Sequence, residues 1–271
     1  MNAPRHLFAE WPSIQRRLRR ADYVALFTDF DGTLVEIRTR PEQVRVPERA
    51  RRALALTARQ PALKTLVGVV SGRTLEDVRA RVGLPGLWYS GAHGYFLLDP
   101  TGRALGFLSD RQKERIDKVC RLLEARLAGM PGIRLEPKRA TVAVHYREAP
   151  RRTALAARRV VTQLLRTHAG LWMLPGKMVW DILPARSINK WTAVRMILRL
   201  ARKDRPRGRW LLIYLGDDLT DEHVFAKMPG ISVVVGRRRS SAARYFLHSP
   251  DEVRQFLERF RREREARQPG L

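Results

Sequence analysis

Phe27-Thr28-Asp29-Phe30-Asp31-Gly32-Thr33-Leu34 places two acidic residues, one apart, where an apolar run from Tyr23 to Phe27 stops and a glycine turn begins. The run reads as a buried parallel strand, and in an open parallel sheet the ligand crevice lies beyond the carboxyl ends of the strands. Strand alternation sends the side chains of Asp29 and Asp31 the same way, with Phe30 opposite. Two carboxylates on one side repel each other unless a cation or a shared proton compensates, and a divalent metal is the simplest remedy. An isolated Asp-Gly after an apolar run is ordinarily only a turn. The rest of the chain decides between these readings.

With 271 residues, 44% of them apolar and 30% charged, the chain has the make-up of a globular protein of one large domain or two modest ones. No apolar run approaches the ~18 residues of a membrane span, and the N-terminus, with Pro4, Arg5, Glu10 and Pro12, lacks a secretory apolar segment. A cytoplasmic location and no membrane partner are expected. The lone cysteine, Cys120, sits among Val119, Leu122 and Leu123 on a helical pattern and reads as a core thiol, so a disulfide or cysteine metal site within one chain is excluded. The net charge of +26 and the isoelectric point near 11.5 raise nucleic-acid binding as a possibility. The excess is mainly arginine, with only eight lysines, spread over helical segments such as Arg16-Arg17-Leu18-Arg19-Arg20 without a recognisable nucleic-acid motif. It reads as solvated helix faces that also draw anionic substrates, and a nucleic-acid partner is not expected.

Short apolar runs alternate with amphipathic segments, the pattern of an α/β fold with a parallel sheet. Core strands are predicted at Tyr23 to Thr28, Thr65 to Val70, Leu87 to Ser90, Trp210 to Leu215 and Ile231 to Val235, and a closing helix at Asp251 to Arg267. Between Leu105 and Pro184 the order becomes α, β, β, α, β, β. Residues 106–183 therefore read as a compact α+β insertion in a core formed by 1–105 and 184–271.

Four segments fall at the ends of core strands. Asp29 and Asp31 are followed by Gly32 and Thr33, whose amides can face an anion. Val70-Ser71-Gly72-Arg73 sets a hydroxyl at a strand end before a helix, where free amides and the helix dipole favour phosphate, although Ser-Gly more often serves as a simple cap. Lys190 stands where the chain re-enters the core, a position that alone reads as a surface charge. Gly216-Asp217-Asp218-Leu219-Thr220-Asp221-Glu222 sets a group of carboxylates directly after an apolar strand, more than capping requires. Hard oxygen donors at strand ends suit Mg²⁺, and no zinc set accompanies them.

Taken in order, Asp-x-Asp-Gly-Thr, Ser-Gly-Arg, a lysine after an insertion, and Gly-Asp-Asp form the motif set of the haloacid dehalogenase-like phosphatases, which this chain resembles over nearly its whole length. Within that superfamily, Gly216-Asp217-Asp218-x-Thr220-Asp221-Glu222, Gly91-Ala92-His93-Gly94, Glu136-x-Lys138 and His145-Tyr146-Arg147 resemble the trehalose-6-phosphate phosphatase family. The resemblance implies a Rossmann-like core and an α/β cap closing over a sugar phosphate. It implies Asp29 as nucleophile and Asp31 as general acid and base. Mg²⁺ is implied on Asp29, the Asp31 carbonyl and Asp217, with Asp218 and Asp221 in support. Ser71, Lys190 and the Gly32 and Thr33 amides are implied on the phosphate, Arg73 and His93 on the substrate.

Sugar choice is expected in the cap, through Glu136, Lys138, His145, Arg147, Lys177 and Asp181, each of which alone reads as solvated surface. Two positions depart from the family. Asp181 replaces a glutamate, so a hydroxyl contact is lost or the sugar must come closer, and Trp191 replaces a glycine, placing a large ring beside Lys190 that is expected to narrow the site. The expected activity is hydrolysis of trehalose 6-phosphate. The alternatives are another glycosyl phosphate, such as glucosyl- or mannosyl-3-phosphoglycerate or sucrose 6-phosphate, and, from a different class, a basic polyanion-binding protein on a phosphatase fold. No segment specifies an oligomeric state.

Overall fold

The computed structural model describes residues 3–37, 44–59, 64–184, 188–203, 205, 207–236 and 240–266. Arg267, the end of the predicted closing helix, lies outside the described residues. The chain divides into a core unit, Met1–Leu105 with Asn189–Leu271, and an inserted unit, Gly106–Ile188.

The core strands are β1 (Arg5–His6), β2 (Tyr23–Thr28), β3 (Thr65–Val70), β4 (Trp88–Gly91), β5 (Phe96–Leu98) and β6 (Ala104–Gly106), then β11 (Trp210–Gly216), β12 (Ile231–Val235) and β13 (Tyr245–Leu247). They form one sheet in the order β1-β13-β12-β11-β2-β3-β4-β5-β6. Every pairing from β1 to β4 is parallel, and β5 returns antiparallel against β4. Strands β2 and β3 are buried at every residue, which is why they read as unbroken apolar runs. Strand β4 begins at Trp88 rather than Leu87. The short strands β1, β5, β6 and β13 were not read from the sequence, having too few residues to show a period.

Alternation sorts the sheet residues between two helical layers. Val24, Leu26, Phe30, Val67, Val69, Ile213, Leu215 and Val233 share one apolar cluster. The same cluster takes Ile14 and Leu18 of α1 (Trp11–Arg20), Leu54 of α2 (Glu48–Arg59), Val78 of α3 (Leu75–Val82), and Phe256 and Phe260 of α8 (Pro250–Glu265). Each fully buried phenylalanine contributes on the order of 1.5–3 kcal/mol. Phe27, Asp29 and Tyr214 have the opposite parity. That parity points them toward the layer of α6 (Lys190–Lys203) and α7 (Leu219–Phe225), whose Ala193, Val194, Ile197, Val224 and Phe225 are buried. Gly68 of β3 leaves room for the Phe27 ring, which a Cβ there would approach to 2.6 Å. Part of the arginine excess is structural: Arg264, itself buried, donates through Nη1 to the carbonyls of Leu18 and Ala21 at the end of α1 (3.2 and 3.4 Å). Among the described residues no helix is long and apolar enough to cross a membrane.

The inserted unit follows the α, β, β, α, β, β order: α4 (Asp110–Leu127), β7 (Arg134–Lys138), β8 (Thr141–His145), α5 (Arg151–Thr167), β9 (Trp172–Gly176) and β10 (Val179–Leu183). Ser109 caps α4 in a reciprocal box with Gln112. The sheet is antiparallel, ordered β7-β8-β10-β9. Its apolar face, with Val142, Val144, Trp180 and Ile182, packs in one cluster with Ile116, Val119 and Cys120 of α4 and Val161 of α5.

Candidate active site

The carboxyl ends of β2, β3 and β11 carry the acidic and hydroxyl motifs, and α6 adds a lysine. Asp29 leaves β2 with its amide donating to Leu215 O at 2.8 Å, so the backbone still follows the sheet. The chain then folds back on itself: the Gly32 amide donates to Val35 O, and the amides of Leu34 and Val35 to Phe30 O. Gly32 has φ +78°, and a Cβ there would stand 2.1 Å from Asp217 Oδ2. Glycine is needed both for the left-handed turn and for the approach of the β11 carboxylate. Thr33 is fully buried behind this turn.

Lys190, buried, donates to Asp29 Oδ1 (2.9 Å) and Asp221 Oδ1 (2.8 Å). It is held at the first turn of α6, where Asn189 and Thr192 exchange hydrogen bonds in a reciprocal cap (2.9 and 3.1 Å). Asp221 is saturated with donors: besides Lys190, its Oδ1 accepts from the Tyr214 hydroxyl at 2.7 Å, and its Oδ2 from the amides of Asp217 and Asp218 at 3.0 and 2.9 Å. Asp218 caps α7, accepting from the Leu219 amide at 2.6 Å. Oxygens of Asp29, Asp217 and Asp221 lie within 4.8 Å of one another, and all three residues are buried. Burial pushes the Asp29 carboxyl well above the ordinary range, Asp221 and Asp217 push it further, and Lys190 opposes them. Burial works against the Lys190 charge, yet Asp221 and Asp29 hold its ammonium well above the usual lysine range. Among the described residues the three buried carboxylates face one ammonium, a balance that a divalent cation would complete, and an all-oxygen set suits Mg²⁺.

Asp31 is turned toward β3. Arg73 grips its carboxylate with two parallel bonds, Nε to Oδ2 and Nη2 to Oδ1, both 2.7 Å. The remaining Arg73 nitrogen, Nη1, donates to Asp77 Oδ2 at 2.7 Å, and Arg81 closes on Asp77 from the next turn of α3. The guanidinium lies over the Phe30 ring, 5.3 Å from its centroid. Ser71 is buried at the end of β3, its Oγ accepting from the Arg73 amide at 3.1 Å. It does not cap α3: Thr74 does, accepting from the Asp77 amide. His93 is buried, with φ +57° after Ala92 at +48°, in the Gly91–Gly94 turn, and its ring rests where a Gly72 Cβ would stand 2.6 Å from Cε1. Two left-handed non-glycine residues in succession are a strain that packing must hold in place.

In the inserted unit, register and alternation put Glu136, Lys138, His145 and Asp181 on the sheet face opposite the apolar cluster, with Glu136 and Asp181 both level with Ala143. Glu136 Oε2 is hydrogen-bonded to His145 Nε2 at 2.7 Å, a bond that holds its carboxyl below the usual range. Lys138 and Asp181 form a buried pair at 3.1 Å. Asp181 thus meets Lys138 across the sheet. Arg147 and Lys177 are exposed, with Arg147 Nη2 donating to Lys177 O at 3.3 Å.

The expected crowding at Trp191 is not observed. Successive helix residues point about 100° apart, and while Lys190 turns to Asp29, Trp191 lines a groove of about 840 Å³ along α6 with Arg17, Arg195, Arg199 and Trp210. Sequence reading missed Tyr214, Asn189, Thr192 and Asp77. The Asn-x-x-Thr cap at residues 189–192 and the Thr-x-x-Asp cap at 74–77 carry local signals.

The trehalose-phosphatase family profile matches residues 27–251. The trehalose-phosphate phosphatase of Mycobacterium ulcerans is 34% identical over 94% of this chain and 67% of its own length, and that of Mycobacterium avium 35% identical over 87% and 61%. The chain spans about two thirds of the length of these relatives. The C-terminal domain of Candida albicans trehalose-6-phosphate phosphatase superposes with a TM-score of 0.77, 20% identity, and coverage of 96% of this chain and 98% of that one. A trehalose-6-phosphate phosphatase related protein superposes at 0.74 with 23% identity, over 90% and 100%. With the profile spanning every strand-end motif and a haloacid dehalogenase-like fold beneath them, the chain belongs to the trehalose-phosphatase family of phosphoric monoester hydrolases.

Proposed function

We propose that the chain hydrolyses trehalose 6-phosphate to trehalose and phosphate, the final step of trehalose biosynthesis, through a phosphorylated aspartate. The observation that carries the chemistry is the buried set of Asp29, Lys190, Asp221 and Asp217 at the ends of β2 and β11. Lys190 opposes the burial that favours protonation of Asp29 and aims its carboxylate, so the other oxygen attacks phosphorus as the bond to the sugar oxygen breaks. Asp31 delivers a proton to that departing oxygen, then takes one from the water that attacks the aspartyl phosphate, regenerating Asp29. Arg73 fixes the plane of the Asp31 carboxylate through both oxygens, and one of them leaves that pair when it carries the proton. Ser71 Oγ, the Lys190 ammonium and the Thr33 amide are the donors assigned to the phosphoryl oxygens; the Gly32 amide, expected there from the sequence, is instead spent on Val35 O inside the turn. Mg²⁺, held by Asp29, Asp217 and the Asp31 carbonyl with Asp218 and Asp221 in support, neutralises charge between nucleophile and phosphate when bound.

Sugar hydroxyls are assigned to the polar face of the inserted sheet, where Glu136, Lys138, His145 and Asp181 offer both donors and acceptors, with Arg147, Lys177 and the core residue His93 as further candidates. Phosphate release across a panel of sugar phosphates tests the substrate. Trehalose 6-phosphate should have the highest kcat/KM, and an equal or higher value on sucrose 6-phosphate or a glycosyl-3-phosphoglycerate overturns the assignment. Asp29→Asn should keep the circular dichroism spectrum and lose turnover. Retained phosphatase activity in that variant removes Asp29 from its role.

A further inference from the structure

A second convergence of metal-ligating side chains lies at the far edge of the core sheet, and its donors differ in kind from the catalytic carboxylates. Strand β1 pairs parallel with β13 in the register His6 to Phe246, which brings His6 beside the chain end that carries His248. The His6 ring stands 5.1 Å from both the Phe246 and His248 rings. Ser249 then caps α8, its Oγ accepting from the Glu252 amide, and the first turn of the helix carries Glu252 back over the strand end. Glu252 Oε2 accepts from the His248 amide at 2.7 Å and lies 3.1 Å from His6 Nε2. One ligand atom from each of His6, His248 and Glu252 falls within 4.8 Å of the other two.

We propose that His6, His248 and Glu252 bind a zinc ion that ties the N-terminal strand to the start of α8. Two imidazoles and one carboxylate suit zinc, whereas Mg²⁺ prefers oxygen donors alone. Tetrahedral zinc with bonds of about 2.0–2.1 Å spaces its ligand atoms roughly 3.3 Å apart. The His6 to Glu252 distance is already close to that, and a rotation of the exposed His248 side chain supplies the third ligand. The His248 amide orients the Glu252 carboxylate from behind, the outer-shell support typical of metal-bound carboxylates. A plain ion pair between His6 and Glu252 with helix capping would leave the His248 ring only its edge-to-face packing on Phe246. Its nitrogens make no hydrogen bond among the described residues.

Calorimetric zinc titration of the full chain in excess Mg²⁺, which loads the oxygen cluster first, tests the site. The expected result is one zinc ion per chain in the wild type and in Asp29→Asn/Asp217→Asn, with affinity weakened by roughly tenfold or more in His6→Gln and His248→Gln. Since His248 is exposed, His248→Gln should keep the fold and its Mg²⁺-supported phosphatase activity, so it decides the matter if His6→Gln disturbs β1. Cobalt in place of zinc should give the absorption of a tetrahedral nitrogen-containing site in wild type and lose it in His248→Gln. Zinc binding that is absent, equal in wild type and His248→Gln, or lost in Asp29→Asn/Asp217→Asn overturns the proposal.

Discussion

At Gly32 a single methyl group would collide with the Asp217 carboxylate, and the backbone there is left-handed. Gly32→Ala is expected to cost on the order of 1–3 kcal/mol from backbone strain and to push Asp217 from its place. Denaturant unfolding reads the first effect, and a higher Mg²⁺ concentration for half-maximal phosphatase activity the second. Arg73 sets a different requirement. Its planar fork matches Asp31 through two bonds at once, which a lysine cannot reproduce. Arg73→Lys should lower kcat for the sugar phosphate by roughly ten- to a hundredfold with little change in KM, the cost of a misplaced proton donor. With p-nitrophenyl phosphate, whose leaving group needs no proton, the first burst of product should be nearly unaffected. A rise in KM with kcat unchanged would instead make Arg73 a substrate contact.

Element by element, short caps and ion pairs aim the catalytic side chains. The Asn189 and Thr192 exchange starts α6 so that Lys190 emerges toward Asp29. Asn189→Ala should cost about 1 kcal/mol, the usual worth of an N-cap, and should lower activity more than that loss of stability explains. Asp77 in α3 has a pH signature. Burial raises its pKa, but hydrogen bonds from Arg81 and Arg73 outweigh this and hold it below the ordinary carboxylate range. A depressed folded pKa stabilises above the unfolded value near ~3.9, and the gain is lost as pH falls through the lower folded value. Asp77 is about one third exposed (34%), so solvent screening limits the effect to about 1 kcal/mol. Wild type should be more stable than Asp77→Asn by that margin at neutral pH, and denaturant unfolding curves at decreasing pH should converge in the acid range.

Over the whole molecule, the charge of +26 surrounds a site that takes an anion. Exposed charges act at range only within a Debye length of about 8–10 Å near physiological salt. Raising the KCl concentration at constant Mg²⁺ should therefore lower kcat/KM for a sugar phosphate while leaving kcat nearly unchanged. Salt independence would mean that the arginines serve only packing and solvation, as Arg264 does at the end of α1.

The sequence by itself determined the strands that end in Asp29, Ser71 and Asp217, the α, β, β, α, β, β insertion, and the alternation that separates Asp29 from Phe30. Those features follow from period and parity, which local residues encode. The short strands β1, β5, β6 and β13 span two or three residues each and carry no readable period. Only tertiary structure decided the partners of the chemical groups: Arg73 with Asp31 across 42 residues, Lys138 with Asp181 across 43, Lys190 with Asp221 across 31. It also turned Trp191 away from Lys190. A charged side chain has many possible partners along a chain. Which one it meets is set by how distant segments pack, because a buried charge must find its counter-charge where the sheet and helices bring one within reach.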